Sequence, residues 1–251
     1  FFTNIAMAGY SNIVPWAKIG YSPTINNTES DLWSAAGAYV FPPSAMQMEV
    51  IGGANDVGTT LHSGTSDGGS TTTVVNSAEN FLTTTAAGDW VILDKSGTTP
   101  EWGIITAVTS DTTITCANGF SSGGTGSGRA YAILDKSAST GAQAVKIEYL
   151  NGSYVADSEI VILNGATAVA TVQTDLFRIQ SFRVICAGSG NAAGTALQLR
   201  ETDDAPVYSY ITAGYTRARN NMYTVPAGKT LYINHWATGW ATPNDAKVQS
   251  A

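Results

Sequence analysis

Apolar and polar residues alternate with a period of two along much of the chain, and this pattern restricts its fold more than any other. The stretches AVKIEYL (144–150), LQLR (197–200) and LYINHW (231–236) each place apolar side chains at every second position. Such alternation puts successive side chains on opposite faces of a strand. Because no window shows the sustained 3.6-residue period of an amphipathic helix, the sequence predicts an all-β protein.

Turn sequences separate these stretches at short intervals. The expected turns are Asn118-Gly119, Asn151-Gly152, Asn164-Gly165 and Pro226-Ala227-Gly228-Lys229. Asn-Gly pairs supply the two positive φ angles of tight hairpins. In LFRIQSFRVIC (176–186) the alternation changes phase at Gln180–Ser181, which predicts a β-bulge. Short strands with frequent turns predict an antiparallel β-sandwich or barrel, which we interpret as a jelly-roll-like sandwich.

The composition and the apolar periodicity of the sequence change along the chain, and these changes predict three parts. Residues 1–45 do not alternate and mix aromatic residues with proline, as in an extended arm that lies on its own body or on a neighbour. Residues 46–56 plus 138–251 form the sandwich body, with at least seven strand candidates in 138–251. Residues 57–137, bounded by Ser-, Thr- and Gly-rich stretches, contain four or five short strands and form an inserted small β-barrel that projects outward.

The sequence ILDKS occurs twice, at residues 92–96 and 133–137. The flanking sequences do not match, whereas a true repeat would extend further and recur at a fixed period. We therefore interpret both copies as ends of strands, with Asp favoured at the turn because its side chain caps nearby backbone groups.

The composition excludes several classes of protein. Charged residues are only 12% of the chain, yet no apolar run approaches the ~20 residues that span a bilayer. The net charge is −7 without any basic cluster, which argues against nucleic-acid binding. Cys116 and Cys186 lie in separate apolar stretches, and we expect both to be small buried thiols rather than a disulfide.

No set of residues predicts catalysis, a metal or a cofactor. His62 lies in a Gly/Ser-rich linker, and His235 alternates with apolar residues, so neither has a marked catalytic partner. The AGKT sequence at 227–230 lacks the earlier glycine of a phosphate loop. Asp203 and Asp204 could bind calcium, but a solvated turn explains them as well.

Several segments resemble structural proteins of tailed-bacteriophage virions. They are the arm sequence WAKIGYSPTINNTESDLWSAAGAYVFP, the strand Thr140–Leu150, the hairpin Ser158–Val169, FRIQSFRVICAGSGNAAGT and YTVPAGKTLYI. Residues 57–137, with GDWV and VTSDTTIT, resemble the small β-barrel modules of phage surface proteins. The resemblance covers most of the chain outside residues 57–137, but its motifs consist of turns and strands rather than catalytic residues.

The resemblance implies a non-enzymatic virion protein, in particular a capsid decoration (cement) or head-associated protein. Such a protein binds the major capsid protein on the outer surface of the phage head, stabilises the shell and forms a homotrimer. Because aromatic residues dominate interface energetics, Trp16, Tyr21, Trp33 and Phe41 are the predicted anchors of the arm. The alternative is that these rings cover the arm's own sandwich.

A second function stays open, namely a host-recognition or glycan-binding module of a fibre or tailspike. The aromatic candidates are then Trp90, Trp102, Trp236 and Trp240. Trp90 and Trp102 stand in strand-like sequences, so packing inside the small barrel is the alternative explanation for both.

Overall fold

The structure is a computed structural model. It describes residues 18, 20, 33–35, 38–97, 99–117, 119–120 and 128–233. Within these residues the chain is all-β, and all its paired strands are antiparallel. Two single-turn 3-10 helices, Phe81–Thr83 and Lys136–Ala138, interrupt the strands.

The strands in chain order are β1 (Met48–Ile51), β2 (Thr60–Thr65), β3 (Gly68–Gly69), β4 (Thr73–Val75), β5 (Trp90–Leu93), β6 (Glu101–Ser110), β7 (Thr113–Cys116), β8 (Ala130–Leu134), β9 (Ala142–Asn151), β10 (Ala156–Ile162), β11 (Val169–Ala170), β12 (Leu176–Ala187), β13 (Leu197–Glu201) and β14 (Val207–Ile211). They form a four-stranded sheet in the order β11-β1-β13-β14, a three-stranded sheet β10-β9-β12 and a seven-stranded sheet β2-β8-β5-β6-β7-β4-β3.

The four-stranded and three-stranded sheets pack face to face and form a β-sandwich. We call the apolar cluster between them the sandwich core. Its largest fully buried side chains include Met48, Ile147, Tyr149, Phe182 and Tyr208. Strand β9 shows why the alternating sequence produces this layer: Val145, Ile147 and Tyr149 are buried, whereas Lys146 and Glu148 on the other face are partly exposed.

The predicted β-bulge is present in β12. Ile179 pairs with Tyr149 and Ser181 pairs with Glu148, so Gln180 is an extra residue without a partner in the ladder. The bulge moves the side chains that follow into the other phase, which is the phase change visible in the sequence.

The Asn151-Gly152 hairpin forms, but not with the predicted turn geometry, while Gly165 of the Asn164-Gly165 pair has the positive φ expected, at 64°, and Asn118 lies outside the described residues. Asn151-Gly152 begins the loop between β9 and β10, where Asn151 N–H donates to the carbonyl of Val155 at 2.9 Å. The positive φ falls on Tyr154, at 59°, rather than on the Asn-Gly pair. The reason is that four residues separate the strands, whereas the predicted geometry belongs to a two-residue turn.

The seven-stranded sheet has more strands than the four or five predicted, and all of them lie between residues 60 and 134. One face of the sheet covers what we call the inner core. Its largest buried side chains include Phe81, Leu93, Ile105, Ile114, Tyr131 and Ile133. Side chains from both halves of the sheet meet in this cluster, so the sheet curves around it.

The other face of the seven-stranded sheet packs on the outer face of the three-stranded sheet. The cluster between them, which we call the junction core, consists of Ile92, Leu134, Ala144, Ile160, Ile185 and Cys186. A backbone hydrogen bond of 2.7 Å from Ile160 to Lys95 joins the two sheets at their edge. A buried apolar interface therefore holds this sheet against the body. The outward projection of residues 57–137 from a virion stays a prediction.

The two ILDKS copies end strands, as predicted, and the structure shows that these strands are neighbours. Strands β5 and β8 pair with each other in opposite directions, and Asp94 and Asp135 follow them. Asp135 accepts a hydrogen bond from Ser137 N–H at 2.7 Å. The apolar runs before each Asp are continuous because both faces are buried: in β5, Leu93 faces the inner core and Ile92 faces the junction core.

Within the residues that the structure describes, the predicted hairpin near the C-terminus forms its turn but not its strands. Lys229 N–H donates to the carbonyl of Pro226 at 3.1 Å. Residues 223–225 and 230–233 form no strand, and Leu231 and Ile233 are 42% and 69% exposed. With only six strands in the described part of residues 138–251, the prediction of at least seven is not met there. The alternating pattern around this turn predicted strands because it shows which side chains could share a face. It does not show whether the edge of a neighbouring strand is free to form hydrogen bonds with them.

Candidate interaction surface

The arm meets the body beside the start of β12. Met46 and Leu176 exchange two backbone hydrogen bonds of 3.0 Å. The Nη1 atom of Arg178 donates to the carbonyl of Pro42 at 2.8 Å. These contacts fix the end of the arm against β12, and they bring the aromatic residues of both segments together.

Six side chains then contact one another in a continuous series, which we call the aromatic–arginine ladder. Its members, in order of contact, are Trp33, Tyr39, Phe41, Arg178, Phe177 and Tyr154. The ring pairs meet edge to face at centroid distances of 4.8 to 5.5 Å. The Arg178 guanidinium lies 5.3 Å from the centre of Phe41 and 3.5 Å from that of Phe177. Ring–ring and cation–ring contacts both stabilise this arrangement.

The ladder is buried at Trp33, its first member, and its exposed end extends from Phe41 to Tyr154, with Arg178 and Phe177 half-buried between them. Trp33 is 5% exposed, whereas Phe41 is 49% and Tyr154 is 39% exposed. Their sequence neighbours Val40 and Val155 are also exposed apolar residues. Aromatic rings and arginine dominate the binding energy of interfaces, and exposed apolar patches are typical of interaction sites. The exposed end of the ladder is therefore the candidate interaction surface.

Hydrogen bonds attach the arm to the body behind this surface. The Tyr39 hydroxyl donates to the carbonyl of Tyr208 at 2.9 Å. The Lys18 ammonium donates to the carbonyl of Gln180 at the β-bulge. Burial lowers the pKa of Lys18 to about 8, and the Glu148 carboxylate opposes this effect. The described arm residues thus belong to the same packed unit as the sandwich.

The predicted anchors occupy different environments. Trp33 is buried within its own chain, as in the alternative that the rings cover the sandwich, whereas Phe41 is open to a partner. The remaining predicted positions, Trp16, Tyr21, Trp236, Trp240 and His235, lie outside the described residues. Their roles stay predictions. Arg178, Phe177 and Tyr154 were missed because no sequence pattern connects them with the arm.

Trp90 and Trp102 lie at the junction core rather than inside the inner core. The indole N–H of Trp90 donates to the carbonyl of Ala187 at 2.9 Å. Lys146 and Arg183 lie 5.6 and 5.1 Å from the centre of the Trp102 ring. Both rings thus connect the seven-stranded sheet with the three-stranded one, and we assign Trp102 to this contact.

A cleft of about 300 Å³ opens beside Trp90 at the same junction. It is lined by Trp90, Val184, Ile185, Ala187, Asn191 and Thr216. An aromatic ring beside an amide and a hydroxyl can contact the apolar face and the hydroxyl groups of a sugar ring at the same time.

No protein-family model, curated protein or solved structure matches the chain. Within the described ranges, no helix is long and apolar enough to cross a membrane. The interpretation of the surface therefore rests on its own geometry and on the resemblance stated above.

A polar network on the seven-stranded sheet was missed by the sequence interpretation, which placed His62 in a linker. His62 lies in β2, and its Nδ1 is 2.7 Å from Glu79 Oε2. Its Nε2 is 2.7 Å from Thr84 Oγ1. The Tyr131 hydroxyl donates to Glu79 Oε1 at 3.0 Å and accepts from Asn76 Nδ2 at 2.9 Å. No sequence signal marks this network, because His62 in β2 and Tyr131 in β8 meet the segment between β4 and β5, which holds Asn76, Glu79 and Thr84, only in the folded chain.

A second missed group is Asp56, which is fully buried just after β1. Its carboxylate accepts backbone hydrogen bonds from Ala142 at 2.8 Å, Gly194 at 2.7 Å and Thr195 at 2.9 Å. The Thr195 hydroxyl adds a hydrogen bond at 2.6 Å, and the Gly53 N–H adds a fifth at 3.3 Å. Asp56 therefore joins the end of β1 to the start of β9 and to the loop before β13, and we assign it a structural role.

The described residues offer little else for metal or thiol chemistry. Within them, no group of three or more His, Cys, Asp or Glu side chains could hold a metal ion. Asp204 lies on an exposed turn and pairs with Arg200 at 2.6 Å, in agreement with the solvated-turn interpretation. Cys116 and Cys186 are free and buried, as predicted. Burial raises the pKa of the Cys116 thiol to about 12, so it stays protonated and unreactive at neutral pH.

Proposed function

We propose that this chain is a structural protein of a tailed-bacteriophage virion, in particular a capsid decoration (cement) protein. The observation that carries the proposal is the exposed end of the aromatic–arginine ladder. There Phe41 presents an open ring next to Arg178, on an arm that hydrogen bonds fix to the body. A preorganised aromatic anchor binds with a small loss of conformational entropy. The sequence resemblance supports the choice of a virion as the setting.

The proposal includes the architecture and the partners that the resemblance implies. The body, residues 46–56 plus 138–251, is a jelly-roll-like sandwich, and residues 57–137 form an inserted small β-barrel. The chain forms a homotrimer that binds the major capsid protein on the outer surface of the head. A protein that binds only the assembled lattice raises the free energy needed to open it. This role needs neither a cofactor nor a nucleic acid.

Replacing Phe41 with alanine is expected to weaken binding to undecorated capsid shells at least about tenfold, because truncation of an aromatic anchor commonly costs ~2 kcal/mol or more. Cosedimentation of purified chain with the shells measures this affinity. A variant lacking residues 1–45 should lose binding as well. However, that deletion also removes the buried Trp33 and the hydrogen bond of Tyr39, so the point substitution is the cleaner comparison.

Leu82→Ala serves as the matched control, because Leu82 is an exposed apolar residue in the single-turn helix Phe81–Thr83 between β4 and β5 and is not a member of the ladder. Its affinity for the shells should equal that of the wild type. Equal binding by wild type and Phe41→Ala would contradict the assignment of the anchor. If the wild-type chain does not bind shells at all, the decoration role is wrong.

The alternative proposal is a host-recognition or glycan-binding module, and the cleft beside Trp90 favours it. An Asn191→Gly variant removes the amide from this cleft while keeping a residue that tolerates the φ of 57° found there. If the cleft binds glycans, a glycan-array signal of the wild-type chain should disappear in this variant. A signal that persists unchanged would locate the glycan elsewhere on the chain.

A further inference from the structure

We infer that Thr84, His62 and Glu79 form a nucleophile–base–acid triad that transfers acyl groups from small activated esters. The imidazole of His62 bridges the Thr84 hydroxyl and the Glu79 carboxylate, with both contacts at 2.7 Å. This is the arrangement by which hydrolytic triads are recognised, whatever their order in the sequence. The inference goes beyond the proposed structural role and assigns a chemistry of its own to the seven-stranded sheet.

The hydrogen bonds determine which ring nitrogen of His62 acts as the base. An ionised carboxylate only accepts hydrogen bonds, so the contact with Glu79 requires the proton on Nδ1. In the neutral imidazole, Nε2 then carries the free lone pair and accepts the hydroxyl proton of Thr84. Among the two neutral tautomers, this is the one in which a base can activate the hydroxyl for attack.

Residues behind the triad hold its acid and its base in place. The Tyr131 hydroxyl donates to the free oxygen of Glu79, and Asn76 donates to Tyr131. Burial raises the pKa of Tyr131 above its usual range, so this donor keeps its proton. The ring of Phe81 meets the His62 ring edge to face at 5.2 Å and supports it from the inner core. The orientation of the base is therefore preorganised.

The nucleophile is accessible to a substrate. Thr84 is exposed and directly follows the single-turn helix Phe81–Thr83, whose carbonyl at Phe81 accepts from the Thr84 N–H at 3.4 Å. Leu82 in the same turn is an exposed apolar residue. An open polar nucleophile next to an apolar side chain fits esters that have a short apolar acyl group and a good leaving group.

The reaction balances with water as the only co-reactant. Thr84 Oγ bonds to the ester carbonyl carbon while its proton passes to His62 Nε2. The tetrahedral intermediate breaks its bond to the alkoxide, which leaves with that proton as an alcohol. Water then attacks the acyl-threonine, His62 again takes and returns a proton, and the products are the free acid and the original hydroxyl.

Diisopropyl fluorophosphate, which phosphorylates activated hydroxyls with loss of fluoride, provides the direct test on the full chain. Intact-mass spectrometry should show one adduct, and peptide mapping should place it on Thr84. Thr84→Ser should still be labelled, whereas Thr84→Val should not. Thr83→Val is the matched control, since Thr83 Oγ1 donates to the Asn80 carbonyl rather than to His62, and its labelling should equal that of the wild type.

The dependence on the base separates activation from simple exposure. His62→Gln should slow labelling at least about 100-fold, because a positioned general base contributes 10²–10⁴-fold. The pH dependence of the labelling rate should also differ between the wild type and His62→Gln, because only the wild type has an imidazole at this position. An unlabelled wild type, equal labelling of Thr84→Val, or an unchanged rate in His62→Gln would each overturn the inference.

Glu79 acts as a positioning residue, and its test needs a readout that a structural role would not change. A glutamine at this position can donate to Nδ1 and so favour the tautomer that carries the proton on Nε2. We expect Glu79→Gln to lower the labelling rate and to alter the pH profile, with Glu79→Asp restoring part of both. An unchanged profile in Glu79→Gln would remove Glu79 from the triad.

Discussion

Replacing Asp56 with alanine is expected to lower the free energy of unfolding by at least about 3 kcal/mol, because each buried donor left without a partner costs 1–3 kcal/mol. The substitution removes the acceptor of four backbone N–H groups, those of Gly53, Ala142, Gly194 and Thr195, around a fully buried side chain. A water molecule can replace the carboxylate only if there is room for it. Urea denaturation followed by circular dichroism measures the change.

Two further variants test the explanation for Asp56. Asp56→Asn keeps the shape of the side chain and one acceptor oxygen. Its amide NH₂ group, however, faces N–H donors that the carboxylate accepts, so the stability of this variant should lie between those of Asp56→Ala and the wild type. Asp203→Ala removes a carboxylate from an exposed turn and should leave the urea midpoint unchanged. A midpoint for Asp56→Ala equal to that of Asp203→Ala would show that the buried hydrogen bonds do not stabilise the fold.

Replacing Leu134 with alanine is expected to cost roughly 2–5 kcal/mol, as for other fully buried leucines. Leu134 lies in the junction core, which holds the seven-stranded sheet against the sandwich. The cavity should therefore weaken the contact between the sheets as well as the sheet itself. We expect faster hydrogen exchange at the amide of Ile160, whose N–H donates to Lys95 across the junction.

The neighbouring residue provides the matched control for Leu134. Ile133 is equally buried in β8 but faces the inner core. Ile133→Ala should lose a similar amount of stability without a selective change in exchange at Ile160. If both variants raise exchange at Ile160 to the same extent relative to their loss of stability, the two cores unfold as one unit. The assignment of Leu134 to a separate junction would then be wrong.

Local sequence patterns predicted the parts of the fold that depend on neighbouring residues. The alternation of β9 follows from one buried and one partly exposed face, and the bulge at Gln180 appears in the sequence as a phase change. The ends of β5 and β8 were also visible, because Asp ends an apolar run. Such features require only the strand's own residues and the side of the sheet that is buried.

The remaining features depend on contacts that no local pattern encodes. Glu79 is 17 residues from His62, and Asp56 is 138 residues from Gly194. The docking of the seven-stranded sheet was missed because the continuous apolar runs of β5 and β8 indicate that both faces of these strands are buried, but not which part of the chain covers the second face. At residues 230–233 the pattern was present but the partner strand was not.

The junction core can form only after a large part of the chain has been synthesised, because it joins the seven-stranded sheet to strands that come later in the sequence. Residues 57–137 leave the ribosome before β9, β10 and β12, so the seven-stranded sheet can close around its inner core while Ile92 and Leu134 still face water. Strand β1 stays without its partner strand β13 for longer still, because Glu49 and Arg200, which pair in the folded chain, are 151 residues apart. The nascent chain thus carries an exposed apolar sheet face and an unpaired edge at once, which is the state in which β proteins aggregate. Slow translation through residues 138–187 would prolong this exposure, and a chaperone that covers apolar surface would act in that interval.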